Sequence, residues 1–261
     1  MVTIYEHPLS PYAQKVKIAL REKGVDFEVA LPGGLGAGGA GGDFVAANPR
    51  AEVPVLVDEG VSVFDSTIIL EYIEDNWQTP PLLPHGAGER ARVRMIEEVM
   101  DTHYEAINWA LGEIDWFRRA EGEFAERLKA TASEQTRGFM SWLERQLGDR
   151  DWFNGASFGW GDLCVVPFVA ASDVMGNSPP PGSNVAAWLT RAMARPSVAK
   201  TVGEARAFDR ASSNVAEAVA AGLFKREYRD HRLEWMVKSG GLDVVLKGLE
   251  ADNIRFAPDF R

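Results

Sequence analysis

The chain has 261 residues, 46% of them hydrophobic, and a formal net charge of −10 from 38 acidic and 28 basic side chains. That length and apolar content support one or two packed domains, and the acidic balance argues against non-specific binding to nucleic acid or an anionic membrane. The single cysteine, Cys164, excludes an internal disulfide and fits a reducing, cytoplasmic setting, while neither a membrane-spanning run of about 18 apolar residues nor a signal peptide is evident.

Residues 2–6 read as a strand and residues 11–23 as a helix with Val16, Ala19 and Leu20 on one face, closed by Gly24. Between them stands Ser10, a serine at N-cap followed by proline at N1. Residues 26–31 form a second strand. The stretch 32–42 carries Gly33, Gly34, Gly36, Gly38, Gly39, Gly41 and Gly42, yet lacks the Gly-Lys-Ser/Thr ending of a phosphate loop. It reads as a mobile rim or an inert loop. Residues 54–57 and 61–64 are strands joined by the hairpin signal Asp58-Glu59-Gly60. A helix follows over 66–77, with Ile69, Leu70 and Ile73 on one face. The segment 78–84 contains Pro80, Pro81 and Pro84 and marks a domain boundary.

Beyond the boundary the pattern is helical. Val93, Ile96, Met100, Ile107, Leu111 and Ile114 form a stripe that predicts one long helix. Leu128, Ala132, Phe139, Leu143 and Leu147 predict a second, and 163–174, 185–194 and 198–210 predict three shorter ones. Two amphipathic stretches remain, one with Phe224, Tyr228 and Trp235, the other with Leu242, Val245, Leu246 and Leu249. These faces need a surface to cover them, so the expectation is docking on the helical domain near its cleft, or on a partner subunit.

Chemistry concentrates at Ser10-Pro11-Tyr12-Ala13. The free N–H groups and positive dipole end of a helix start favour an anion, and a hydroxyl there can donate to a thiolate. The stretch resembles the Cys-Pro-Tyr-Cys of glutaredoxins with both cysteines replaced. Dithiol exchange needs a thiolate attacker, so that chemistry is excluded at this turn. What remains resembles the glutathione transferases with serine at this position, a tau- or omega-like motif. Asn48-Pro49-Arg50-Ala51-Glu52-Val53-Pro54-Val55-Leu56 resembles the family's Asn-Pro and Val-Pro-x-Leu segment, and Asp65-Ser66-Thr67 its acidic-Ser helix start.

The resemblance covers about residues 1–210. It implies an α+β thioredoxin-like glutathione-binding domain over 1–77, a linker over 78–85, an all-α substrate domain over 86–210 and a helical extension over 211–261. It implies that Ser10 stabilises the glutathione thiolate, with Ser10, Arg50, Val53, Pro54, Asp65 and Ser66 binding glutathione as co-substrate and no metal. A free thiol has a pKa of about 8.5, and lowering it by about two units takes ~2.7 kcal/mol of differential stabilisation. A charge-assisted hydrogen bond plus helix-start N–H groups is of that size. Candidates for the electrophile site are Tyr12, His103, Tyr104, Asn108, Leu111 and Phe117, whose character suits a flat hydrophobic co-substrate. His103 also reads as a packed helix residue and Cys164 as a small buried hydrophobe. The implied partners are glutathione, a hydrophobic electrophile and a second copy in a homodimer, with no nucleic acid or membrane. A glutathione-dependent lyase, dehalogenase or isomerase, and a non-catalytic binding or scaffold protein of the same fold, are the alternatives.

Three features depart from the family pattern. Glu52 stands where tau-like members carry a lysine near the glycyl carboxylate. The glycine-rich stretch replaces a region that supplies a basic contact, and Arg50 is the candidate substitute. In Phe158-Gly159-Trp160-Gly161-Asp162, Gly159 takes the Ser/Thr place of a helix-start motif from which Asp162 can still cap backwards.

Overall fold

The computed structural model describes residues 1–35, 40–211, 215–223 and 230–253. Its first part is a four-stranded sheet ordered β2-β1-β3-β4, built from β1 (Val2–Tyr5), β2 (Phe27–Ala30), β3 (Val55–Asp58) and β4 (Val61–Phe64). β1 and β2 are parallel because α1 (Pro11–Glu22) crosses between them, whereas β3 and β4 form the expected hairpin. β1 and β3 run antiparallel, and the register sets Tyr5 beside Val55 and Val55 beside Phe64. The last residue of β1, the first of β3 and the last of β4 therefore lie side by side at one end of the sheet. α2 (Asp43–Ala47), a short helix, was not legible from periodicity, and α3 (Ser66–Asn76) closes this part.

The second part is helical. The stripe read as one helix is α4 (Ala87–Val99) and α5 (Glu105–Asp115) joined by a π-helical turn over Met100–Tyr104. The extra residue of that turn shifts the helix face. α6 (Gly122–Leu147), α7 (Trp160–Val174), α8 (Asn184–Met193) and α9 (Pro196–Ala211) complete the bundle. The central turns of α7 are apolar all round and run through the middle, with Leu163, Cys164, Val165, Val166, Phe168 and Val169 fully buried.

The start of α7 shows why glycine replaces Ser/Thr at 159. A Cβ on Gly159 would lie 2.3 Å from the Leu82 carbonyl oxygen and 2.2 Å from Asn154 Nδ2. The close approach lets Trp160 N–H donate to that same carbonyl at 2.8 Å. Asp162 performs the expected backward cap, accepting from Gly159 N–H at 3.1 Å. It also accepts from Phe153 N–H, Asn154 N–H and the Trp188 indole N–H.

In the extension, Phe224 and Tyr228 lie outside the described residues. After α10 (Val215–Ala220), α11 (His231–Lys238) and α12 (Leu242–Glu250) turn back on each other through Gly241, whose N–H donates to the Met236 carbonyl. Docking on the helical domain is not what is seen for the described part. Trp235 is 66% exposed, and Leu242, Leu246 and Leu249 are exposed too. Two helices of eight and nine residues contact each other and leave most of these side chains uncovered.

Asp162→Ala is expected to lower unfolding free energy by about 3 kcal/mol or more, since it strips the acceptor from several buried N–H donors at once. Denaturant unfolding of the two proteins checks this.

Candidate active site

Ser10 adopts an extended conformation at the N-cap of α1, and its Oγ accepts from Ala13 N–H at 3.3 Å. That bond uses an oxygen lone pair, so the hydroxyl proton is left to donate. The loop before it is held by His7. The Ser10 N–H donates to the His7 carbonyl at 2.8 Å, and the Leu9 N–H to His7 Nδ1 at 3.3 Å. The His7 ring packs edge-on against Phe208 of α9, with centroids 4.8 Å apart. Burial, then the charge of Lys17, lowers its pKa, so the ring stays neutral and its acceptor nitrogen is preserved.

Asp65 occupies the N-cap of α3 at φ +71°, a left-handed conformation unusual for a non-glycine residue. Its Oδ1 accepts from Thr67 N–H at 3.0 Å and weakly from Ile68 N–H. Ser66 beside it is 6% exposed. The Val53–Pro54 peptide is cis, and Val53 lies just before β3, outside the strand ladder. The segments that carry Ser10, Val53-Pro54 and Asp65-Ser66 thus leave the sheet at the same end, since they follow β1, precede β3 and follow β4.

Arg50 joins this group through its side chain. Its guanidinium pairs with Glu52 at 2.7 Å and stands 4.0 Å from Asp65. The acid at 52 is thereby neutralised from its own loop. Arg50 is no longer a free cation but the link between the Asn48 turn, where its N–H donates to Asn48 Oδ1, and the start of α3.

Behind these residues lies a buried ionic cluster. Lys15 of α1 is fully buried, and its Nζ donates to Glu97 at 2.6 Å and to Asp101 at 2.5 Å, both from the second domain. Glu97, 2% exposed, also accepts from Thr67 Oγ1 at 2.9 Å and from the Trp160 indole N–H. Tyr12 donates its hydroxyl to the Asp101 carbonyl at 2.7 Å. The cluster therefore ties α1 and the start of α3 to α4, α7 and the π-helical turn. Burial disfavours the Lys15 charge, but Asp101 and Glu97 outweigh it and raise its pKa above the ordinary value. Two carboxylates share that one ammonium. Burial, with Glu97 adding to it, pushes Asp101 up to about 6 against the pull of Lys15.

The electrophile candidates separate. Tyr104 is fully buried, its ring against Phe139 and Phe168 and its hydroxyl on Ser172. Asn108 is committed to Ser172 and to the Phe168 carbonyl. Leu111 and Phe117 are buried, His103 contacts Thr102 at the surface, and Tyr12 reaches into the domain interface. The narrow apolar cleft beside the Ser10 loop is walled instead by Leu9, Trp116, Val174, Met175, Val202 and Ala205. Gly112 makes room for Trp116, since a Cβ there would sit 2.9 Å from its ring. A glycine four residues before a tryptophan in a helix is the sequence signal that could have pointed to it. The cleft walls from α7 and α9 carry no such mark.

Comparison with known proteins agrees with this geometry. A family model of the glutathione S-transferase N-terminal domain matches residues 4–81, and one of the C-terminal domain matches residues 114–191. Glutathione S-transferase U28 of Arabidopsis thaliana is 31% identical over 210 residues, covering 78% of this chain and 89% of that one. The crystal structure of rice GST1 (OsGSTU1) in complex with glutathione superposes with a TM-score of 0.68 at 26% identity, covering 83% of this chain and 96% of the other. A stringent starvation protein A homologue of Coxiella burnetii is 35% identical over 96 residues, 37% of this chain and 44% of its own.

The Asp101 titration has a sign. A carboxylate raised from 3.8 to about 6 on folding adds stability that is fully present below about pH 3.8 and is lost as the pH rises through about 6. Asp101→Asn stays neutral throughout and keeps an oxygen for Lys15. Thermal melts between pH 4 and 7 are expected to show a flatter fall of stability with rising pH in the variant than in the parent.

Proposed function

The chain belongs to the glutathione S-transferase family, and from that premise we propose that it transfers glutathione to an apolar electrophile, with Ser10 as the group that stabilises the thiolate. The observation that carries the reading is that the segments of Ser10, Val53-Pro54 and Asp65-Ser66 leave the sheet at the same end. Glutathione offers a thiol, two carboxylates and an α-ammonium group. The thiolate is assigned to the start of α1, where the Ser10 hydroxyl can donate and the first-turn N–H groups present a positive end. The γ-glutamyl carboxylate is assigned to the Ser66 hydroxyl and N–H, and its ammonium to Asp65. The cysteinyl backbone is assigned to Val53. Arg50 holds Glu52 in an ion pair, so that the acid at 52 does not repel the glycyl carboxylate.

The electrophile is assigned to the cleft of Leu9, Trp116, Val174 and Met175, a flat apolar slot beside Ser10. Attack forms a carbon–sulfur bond as the leaving group departs or the double bond accepts the electron pair, and the thiol proton goes to solvent. The rice structure with bound glutathione supports the co-substrate. A homodimer is supported by exposed apolar residues on neighbouring elements, Val61 of β4, Ile68 of α3 and Met95 of α4. A cytoplasmic setting matches the need for reduced glutathione.

Calorimetry with reduced glutathione is expected to show binding, and no heat at millimolar ligand would leave a non-catalytic protein of this fold. Ser10→Ala is expected to raise the pKa of bound glutathione by about one to two units and to lower kcat more than it raises KM. Ultraviolet titration of the bound thiolate reads the first effect, and an unchanged pKa would remove Ser10 from its role. Ser10→Cys is expected to shift activity toward thiol transfer, read as mixed-disulfide formation with glutathione.

A further inference from the structure

A second cavity, of about 250 Å³, opens between α6 and the turn that joins α7 to α8. Ser133, Thr136, Arg137 and Met140 of α6 face Asn177 and Pro180 of the turn. None of its lining residues belongs to the cleft beside Ser10.

Its polar groups are unbalanced. Thr136 is 2% exposed, yet its hydroxyl has no hydrogen-bond partner. Other helical hydroxyls, Thr131 and Ser141 of the same helix included, bond the carbonyl four residues back. A buried hydroxyl left unmade in a cavity wall calls for an occupant. Arg137 is exposed and has no carboxylate partner among the described residues, so its guanidinium edge is open to an anion. Ser133 donates to Asn177 Oδ1 at 2.7 Å, which orients the carboxamide and leaves its Nδ2 hydrogens for a third group. Asp173, the nearby acid, accepts from Ser178 at 2.6 Å.

We propose that this cavity is a binding site for a small carboxylic acid, separate from the glutathione site. The available groups are donors: the Arg137 guanidinium, the Thr136 hydroxyl and the Asn177 amide. A planar carboxylate satisfies a guanidinium edge with two parallel bonds and has lone pairs left for the other donors. Met140 and Pro180 supply an apolar wall for the carbon body. The volume suits a molecule of amino-acid or benzoic-acid size.

The probe is 4-fluorobenzoate, followed by fluorine NMR on the full chain with S-hexylglutathione present to occupy the cleft. The expected result is a saturable shift for the parent protein and an affinity about tenfold weaker in Arg137→Ala, the loss of a charge-assisted pair. Thr136→Val is expected to weaken the probe several-fold while melting no lower than the parent, since the hydroxyl it removes makes no internal bond. No saturable shift, equal affinity in Arg137→Ala, or displacement of the probe by S-hexylglutathione would overturn the proposal. The site does not rest on the transferase reading. If S-hexylglutathione fails to bind, that reading fails alone, and the comparison of parent with Arg137→Ala still decides this one.

Discussion

The Lys15 ammonium, withdrawn from water between Glu97 and Asp101, is the contact on which the arrangement of the two domains depends. Taking an ammonium out of water costs several kcal/mol, of the order recovered only when geometry and supporting hydrogen bonds are good. Here they are: Thr67 and Trp160 donate to the remaining positions of Glu97, and Tyr12 anchors the backbone that carries Asp101. Such a cluster adds little to stability compared with an apolar filling. Its value lies in direction. A charge with two fixed acceptors tolerates one orientation of α1 against the second domain, and α1 begins at Ser10.

The same logic extends along α1. Lys17 meets Glu6 and Glu204, Arg21 meets Glu204 and Thr201, and Lys23 meets Glu74 and the Pro80 carbonyl. α1 is thus a cationic rod inside a chain of net charge −10, and acids from the sheet, from α3 and from the helical domain grip it along its length. Loops could shift without disturbing a sliding apolar contact. They cannot shift here without breaking a buried ion pair. The apolar cleft is walled by Leu9, just ahead of α1, on one side and by α7 and α9 on the other.

Much of this was legible in the sequence, and the limits have physical causes. Strand alternation, the Asp58-Glu59-Gly60 turn and the serine-proline helix start carry local signals, and the four strands, α1 and α3 lie within a residue or two of their reading. Lys15 and Lys17 were not legible. Periodicity treats a lysine as a solvent-facing residue, and only the tertiary fold can supply a buried counter-charge. The π-helical turn escaped for a related reason, since one extra residue alters the phase of a stripe without interrupting it. Tyr104 and Asn108 have the polarity of site residues, but polarity in a helix also serves a packed core when Ser172 stands opposite. Trp116 and the α7 wall of the cleft depend on which faces meet, a property of two helices at once.

Ser10 and Asp65 show why the motif residues were easier to find than the cleft. Each is first a cap, one on α1 and one on α3, and helix starts need an oxygen whatever the protein does. Capping consumes a lone pair and one carboxylate oxygen. The Ser10 proton remains, while the second oxygen of Asp65 faces the Arg50 guanidinium at 4.0 Å, and both residues follow strand ends that are paired side by side. A group that folding already holds in place loses little further freedom when it meets a ligand, which is the condition for a preorganised site. The cleft has no such dual duty, because apolar walls are specified by packing and can be exchanged for others of similar volume. The residues proposed for glutathione are therefore written into local sequence rules, while those proposed for the electrophile are written only into the fold.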